Sequence, residues 1–290
     1  MYKKTARKRI ERLKRSPAYR RAYEDVDFLR REDLRPVRLQ LELLKPELML
    51  EEQSIRSTVV VFGSTRIEER STLKPAVTAL EKRLAADRHN ASLAQELAVA
   101  RRLLAKTKYY DEARKLARLV STACQTDGRR DYVIVTGGGP GIMEAANRGA
   151  HDAGCMSIGL NITMPAEQEP NPYITPELCF QFHYFALRKM HFMMRAKAMV
   201  AFPGGYGTMD ELFETLTLVQ TGKVERLPVI LFGREFWSRA IDFEFLRDEG
   251  VIAPGDLKLF RHAETAEEAW EKIKQYYRNR GERVPSRGSR

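Results

Sequence analysis

Apolar positions along the chain fall into short continuous runs and longer stretches with helical spacing, and the two alternate. Thr58-Val59-Val60-Val61-Phe62 is an unbroken, mostly β-branched run ended by Gly63-Ser64, as expected of a parallel strand buried on both faces. Later segments predict a helix over 109–124, a strand over 132–135, a helix over 141–152 and a strand over 156–160, followed by a proline-rich loop. An apolar segment at 178–182 leads to a helix over 184–197, a strand over 199–202, a helix over 208–221, a strand over 228–232 and a helix over 235–248. A short strand over 257–260 precedes a helix opened by Thr265-Ala266-Glu267-Glu268, which has the S/T-x-x-E pattern of a capping box. Alternation of this kind predicts a doubly wound parallel sheet, with ligands at the carboxyl ends of its strands.

Two segments do not fit the alternation. Residues 22–56 read as an amphipathic helical extension, and 70–107, with Asn90 between two Leu/Ala-rich stretches, as an inserted helical hairpin. The fold class is therefore α/β, a Rossmann-like sheet with an N-terminal helical extension and an inserted hairpin. Residues 1–56 are expected to form a basic arm and helical extension, 57–277 the Rossmann-like domain that carries any site, and 278–290 a basic tail.

Charge adds one distinction. The net charge is +11, but residues 1–21 hold ten Lys/Arg against Glu11 alone, and 278–290 hold five Arg against Glu282. The middle sums to about neutral, so a nucleic-acid-binding face on the folded domain is disfavoured and any such role falls to the tails. No apolar run approaches the ~20 residues that a bilayer requires, and the basic start is not followed by a signal-type apolar stretch, so a cytoplasmic protein is expected. Cys124, Cys155 and Cys179 have neither disulfide nor zinc spacing and read as small buried hydrophobes. The five histidines show no ligand spacing, so no metal site is expected.

Two glycine-rich loops carry the candidate chemistry. Strand 132–135 runs into Thr136-Gly137-Gly138-Gly139-Pro140-Gly141 and a helix, a nest of backbone N–H groups suited to phosphate. The dinucleotide fingerprint fails because Ile142 stands at its sixth position, and the strand ending at Asn161 offers no ribose-binding acid. A Walker A loop is missing, since Gly222-Lys223 is followed by Val224. The second loop, Pro203-Gly204-Gly205-Tyr206-Gly207-Thr208-Met209-Asp210-Glu211, follows the next well-marked strand. Two such loops at neighbouring strand ends suggest one nucleoside monophosphate.

Glu211 has a plain alternative, since Thr208-x-x-Glu211 is itself a capping-box spacing. The functional reading places its carboxylate in the first helical turn, facing a sugar that becomes cationic as a glycosidic bond breaks. On the preceding helix, Arg188 is read as a planar fork for the nucleotide, and adjacent Lys189 points elsewhere. Arg195 and Lys197 read as a solvated basic face.

The string from Pro203 to Glu211, with Arg188-Lys189 before it and Thr136 to Gly141 earlier, resembles the LOG family of cytokinin riboside 5′-monophosphate phosphoribohydrolases, whose PGGxGTxxE motif is matched in full. Members long carried the label lysine decarboxylase, although nothing here marks a pyridoxal-phosphate lysine. The resemblance covers roughly 58–66 and 108–262, and the stretch from Gly159 to Tyr173, with Glu167 and Gln168, looks like a longer bacterial branch. It implies hydrolysis of AMP or N6-prenylated AMP to free base and ribose 5-phosphate, without cofactor, in a homodimer or larger assembly. By that resemblance Arg188 and Glu211 are the catalytic pair. Gly204, Gly205, Gly207 and Thr208 lie at the phosphate, and Gly137, Gly138, Gly139, Gly141 and Lys189 count among the nucleotide-binding residues. Compact members have Met-His-x before Arg-Lys where this chain has Phe185-Ala186-Leu187, which bears on the base pocket and makes AMP a candidate substrate. Two other readings stand beside this one. The first is a nucleotide or molybdenum-cofactor carrier, which would bind without cleaving. The second is a DNA-processing protein, which would use the tails and a sheet edge.

Overall fold

The computed structural model describes residues 2–125, 128–163, 169–282 and 284. Glu167, Gln168 and the tail's Arg283, Arg287 and Arg290 lie outside the described residues. The chain divides into two compact units, Met1–Lys45 and Pro46–Arg290. The first holds α1 (Tyr2–Lys14), α2 (Val26–Leu29) and the start of α3 (Arg35–Glu52). From Thr5 onward every side chain of α1 is exposed, and Arg38 donates to the Leu29 carbonyl at 2.8 Å.

The second unit runs β1 (Thr58–Phe62), α4 (Arg70–Ala86), α5 (Ala91–Ala105), α6 (Thr107–Cys124), β2 (Val133–Thr136), α7 (Ile142–Asp152), β3 (Ser157–Ile162) and β4 (Cys179–Phe182). It continues with α8 (Phe185–Met194), β5 (Ala196–Ala201), α9 (Tyr206–Gln220), β6 (Val229–Phe232), α10 (Arg234–Ala240), α11 (Phe243–Asp248), β7 (Phe260–Ala263) and α12 (Ala266–Arg278). The seven strands form one parallel sheet in the order β4-β3-β2-β1-β5-β6-β7. This is the doubly wound α/β architecture that the alternation predicts. Val59 and Val61 pack with Leu116 and Val120 of α6, Ile142 of α7 and Ile273 of α12 on one face. Phe62 meets the Phe192 ring of α8 edge-on at 4.7 Å on the other. Covering on both faces is why all five residues of β1 are buried and four of them are apolar.

Local chemistry accounts for the helix boundaries. Asn90 caps α5 by accepting from the Leu93 N–H at 3.0 Å, and Thr265 caps α12 by accepting from Glu268 N–H at 3.2 Å. The helix expected over 235–248 is two helices, because Asp242 accepts from the Phe245 N–H at 2.9 Å and starts a second one. The strand expected over 257–260 lies instead at Phe260–Ala263 beside β6, and a 3-10 turn occupies Asp256–Lys258. The helix expected to reach 197 stops at Met194, so Lys197 lies in β5. Arg195 is not solvated either, since its guanidinium is paired with Glu47. Of the cysteines, only Cys124 is buried, while Cys179 is exposed on the edge strand β4. No helix among the described residues is long and apolar enough to cross a membrane.

Candidate active site

The strand order reverses between β1 and β5, and a crevice opens at the carboxyl ends of such a pair. Hydrogen bonds tie the loops there together. Phe202 N–H donates to the Phe62 carbonyl at 2.8 Å, Ser64 N–H to the Pro203 carbonyl at 3.0 Å, and Ile142 N–H to the Ser64 carbonyl at 3.2 Å. Gly141 makes the last approach, with φ of 69° and so little room that a Cβ would stand 2.5 Å from the Ser64 oxygen. Gly138 also has positive φ, at 75°, and donates to the Thr136 hydroxyl at 3.0 Å. Only glycine adopts these angles without strain.

A cavity of about 400 Å³ occupies the crevice, within the size range of small-molecule sites. Six of the residues singled out in the sequence line it, namely Gly137, Arg188, Gly205, Gly207, Thr208 and Glu211. The remainder brace its walls. Asn171 donates to the carbonyls of Gly138 and Gly139, each at 3.1 Å; Gly141 begins α7; and Gly204 packs on Thr208. The Lys189 ammonium pairs with Asp210 and Glu214 of α9, each at 2.9 Å. Arg188 thus faces the cavity, and Lys189 clasps α8 to α9.

Glu211 is 6% exposed. The capping-box alternative fails because α9 begins at Tyr206, with Gly205 accepting from the N–H groups of Thr208 and Met209. Thr208 is therefore inside the helix and Glu211 is in its second turn, beyond reach of the N-terminal amides. Burial pushes its carboxyl up to about 7; Lys189 and, less strongly, Arg188 pull the other way, and Glu214 adds to the rise. Arg188 donates from Nε to the Leu160 carbonyl at 2.7 Å and from Nη2 to the Gly137 carbonyl at 3.4 Å. Its guanidinium lies 5.3 Å from the Phe192 ring centre and 6.0 Å from that of Phe185. Burial lowers its pKa, and Glu211 opposes that effect. Burial also pulls the Lys189 ammonium down, but its bonds to Glu214 and Asp210 outweigh this and leave it raised.

Holding Glu211 this way costs stability. Its carboxyl binds a proton more tightly in the folded chain, at about 7, than at its ordinary value of 4.5. Stability from this group is therefore full below about pH 4.5 and is lost as pH rises through 7. Glu211→Gln should raise folding stability at pH 8 by on the order of 3 kcal/mol, read as a higher thermal midpoint, and the gain should shrink towards pH 5. Calorimetry at both pH values checks this, and a gain that does not depend on pH would contradict it.

The sequence reading missed other cavity residues: Ser64, Thr65 and Arg66 after β1, Met143 on α7, and Asn161 at the end of β3. Gly63-Ser64 was legible as a strand terminator, and the strand-end rule pointed to the same place. Among the described residues, no three His, Cys, Asp or Glu side chains are grouped as metal ligands.

The family described as "Possible lysine decarboxylase" matches residues 143–273, which include Arg188 and the whole loop from Pro203 to Glu211. Cytokinin riboside 5′-monophosphate phosphoribohydrolase LOG3 of Arabidopsis thaliana is 30% identical over 176 residues, 59% of this chain and 77% of that protein. The chain belongs to the LOG family. The enzyme named LOG from Oryza sativa subsp. japonica is 31% identical over 176 residues, 59% of this chain and 68% of its own. Among solved structures, a molybdenum cofactor binding protein from Rippkaea orientalis is 20% identical, with a TM-score of 0.42 over 58% of this chain and 87% of that one. A likeness that distant does not bear on the ligand of this LOG-family chain.

Proposed function

We propose that this chain hydrolyses the N-glycosidic bond of an adenine-type nucleoside 5′-monophosphate, AMP or its N6-prenylated form, releasing the base and ribose 5-phosphate. The observation that carries the reading is a buried carboxyl, Glu211, and a guanidinium, Arg188, lining one cavity at the order reversal of the sheet. The C1′–N bond breaks with its electron pair going to the base, which takes up a proton from solvent. The oxygen of water bonds to C1′ as the proton it loses passes through Glu211 back to solvent. Ionised Glu211 stabilises the positive charge on the sugar and accepts a proton from the water. Arg188 has five N–H donors, and two are held by carbonyls, so the rest are available to the nucleotide. The half-exposed Phe185 ring at the cavity offers a flat apolar wall to the base.

Incubation with AMP and with N6-prenylated AMP, followed by chromatography for free base, tests the proposal. Tight binding without cleavage of either would favour the carrier reading. Removal of residues 1–21 should change kcat/KM for AMP less than threefold, because the arm lies outside the unit that holds the cavity. A tenfold fall would give the arm a place in the reaction. The homo-oligomer also belongs to this proposal, supported by the exposed apolar side chains Met190 and Met194 on α8 and Phe213 on α9. Light scattering that returned the mass of a single chain would remove it.

A further inference from the structure

Among the described residues, two arginines line the cavity, Arg188 and Arg66, and only Arg188 is already partly engaged. Arg188 spends its Nε and one Nη2 hydrogen on the carbonyls of Leu160 and Gly137, at the ends of β3 and β2. Lys189 is closed between Asp210 and Glu214. Arg66 also lines the cavity. It is exposed, and among the described residues its guanidinium has neither an ion pair nor a hydrogen bond. Its backbone is fixed even so, because the Arg66 N–H donates to the Ser64 hydroxyl at 3.1 Å and Ser64 N–H donates to the Pro203 carbonyl at 3.0 Å. The loop that carries Arg66 is therefore tied to the strand end that leads into Gly205 and Gly207. At both of those glycines the space a Cβ would occupy is empty, so a ligand can come up to the backbone.

We propose that Arg66 is the binding residue for the 5′-phosphate, closing its planar fork over the anion, while Arg188, at the ends of β2 and β3, serves the sugar and base. This rests on the nucleoside monophosphate reading above. The charge balance favours it. A phosphate monoester carries about −1.5 to −2 at neutral pH, the cavity already holds the carboxyls of Glu211 and Asp210, and Arg66 is the cavity cation with its whole fork uncommitted. Two N–H groups in one plane suit two phosphate oxygens, which an ammonium cannot match.

The test uses the full chain with ribose 5-phosphate and AMP as probes. Arg66→Ala should weaken ribose 5-phosphate binding in calorimetry at least tenfold. It should raise KM for AMP by a similar factor, move kcat less than threefold, and move the affinity for adenosine less than threefold. Arg66→Lys should recover only part of the loss. Because Arg66 is exposed, an unchanged thermal midpoint is expected and checks that the variant is folded. An unchanged ribose 5-phosphate affinity in Arg66→Ala overturns the assignment, as does failure of the wild-type chain to bind ribose 5-phosphate at all. A wild-type chain that binds ribose 5-phosphate but releases no base would sink the hydrolase reading alone, and the loss of binding in Arg66→Ala would still support the phosphate site.

Discussion

Glu211→Gln should lower kcat for AMP by roughly two to three orders of magnitude, about 3–4 kcal/mol of transition-state stabilisation, while AMP binding stays within a few-fold. The amide fills the same space on α9 and the buried surroundings are unchanged, but the negative charge opposite the developing sugar cation is gone. The wild-type pH profile should carry the mark of the same group. With burial pushing the carboxyl up to about 7, the ionised form grows as pH rises, so kcat/KM should climb through about pH 7 and level off above it. The residual activity of Glu211→Gln should lack that limb. If the variant keeps activity within a factor of ten, Glu211 is not the group that faces the sugar.

The central elements could be read from the sequence because they are governed by their own residues. The buried run Thr58–Phe62, the Asn90 cap and the Thr265 cap depend on side chains next to one another in the chain. Sheet edges were harder to read. β4 alternates exposed and buried positions over four residues, too short to separate from a loop, and β7 exposes Arg261, since an edge strand has one neighbour to satisfy. The helix-favouring residues Ala196 and Lys197 enter a strand because β1 offers that segment a parallel partner, a tertiary term that overrides local preference. The same limit applies to the site. Arg188 and Glu211 stood out by chemistry and motif, whereas Ser64 and Arg66 line the cavity only because β1 and β5 are neighbours, and strand order is not written in any one segment.

The pair Arg188 and Lys189 separates a reacting group from a supporting one. Adjacent residues on a helix point about 100° apart, and here the first lines the cavity while the second bridges Asp210 and Glu214 on either side of Glu211. Arg188→Ala should cut kcat/KM by about three orders of magnitude, on the order of 4 kcal/mol. Arg188→Lys should do nearly as badly, because an ammonium cannot hold the Leu160 and Gly137 carbonyls and still present a planar edge to the nucleotide. Lys189→Ala should cost much less at pH 8 and show its effect elsewhere. Lys189 is the strongest influence holding the Glu211 pKa down, so its loss should move the acid limb of the profile to higher pH and widen the deficit at pH 6.5. Steady-state kinetics of the three variants across that range, read as kcat/KM, decide the matter. A Lys189→Ala defect at pH 8 larger than that of Arg188→Ala would reverse the assignment, and an unshifted limb would mean that Lys189 only fastens α9 to α8.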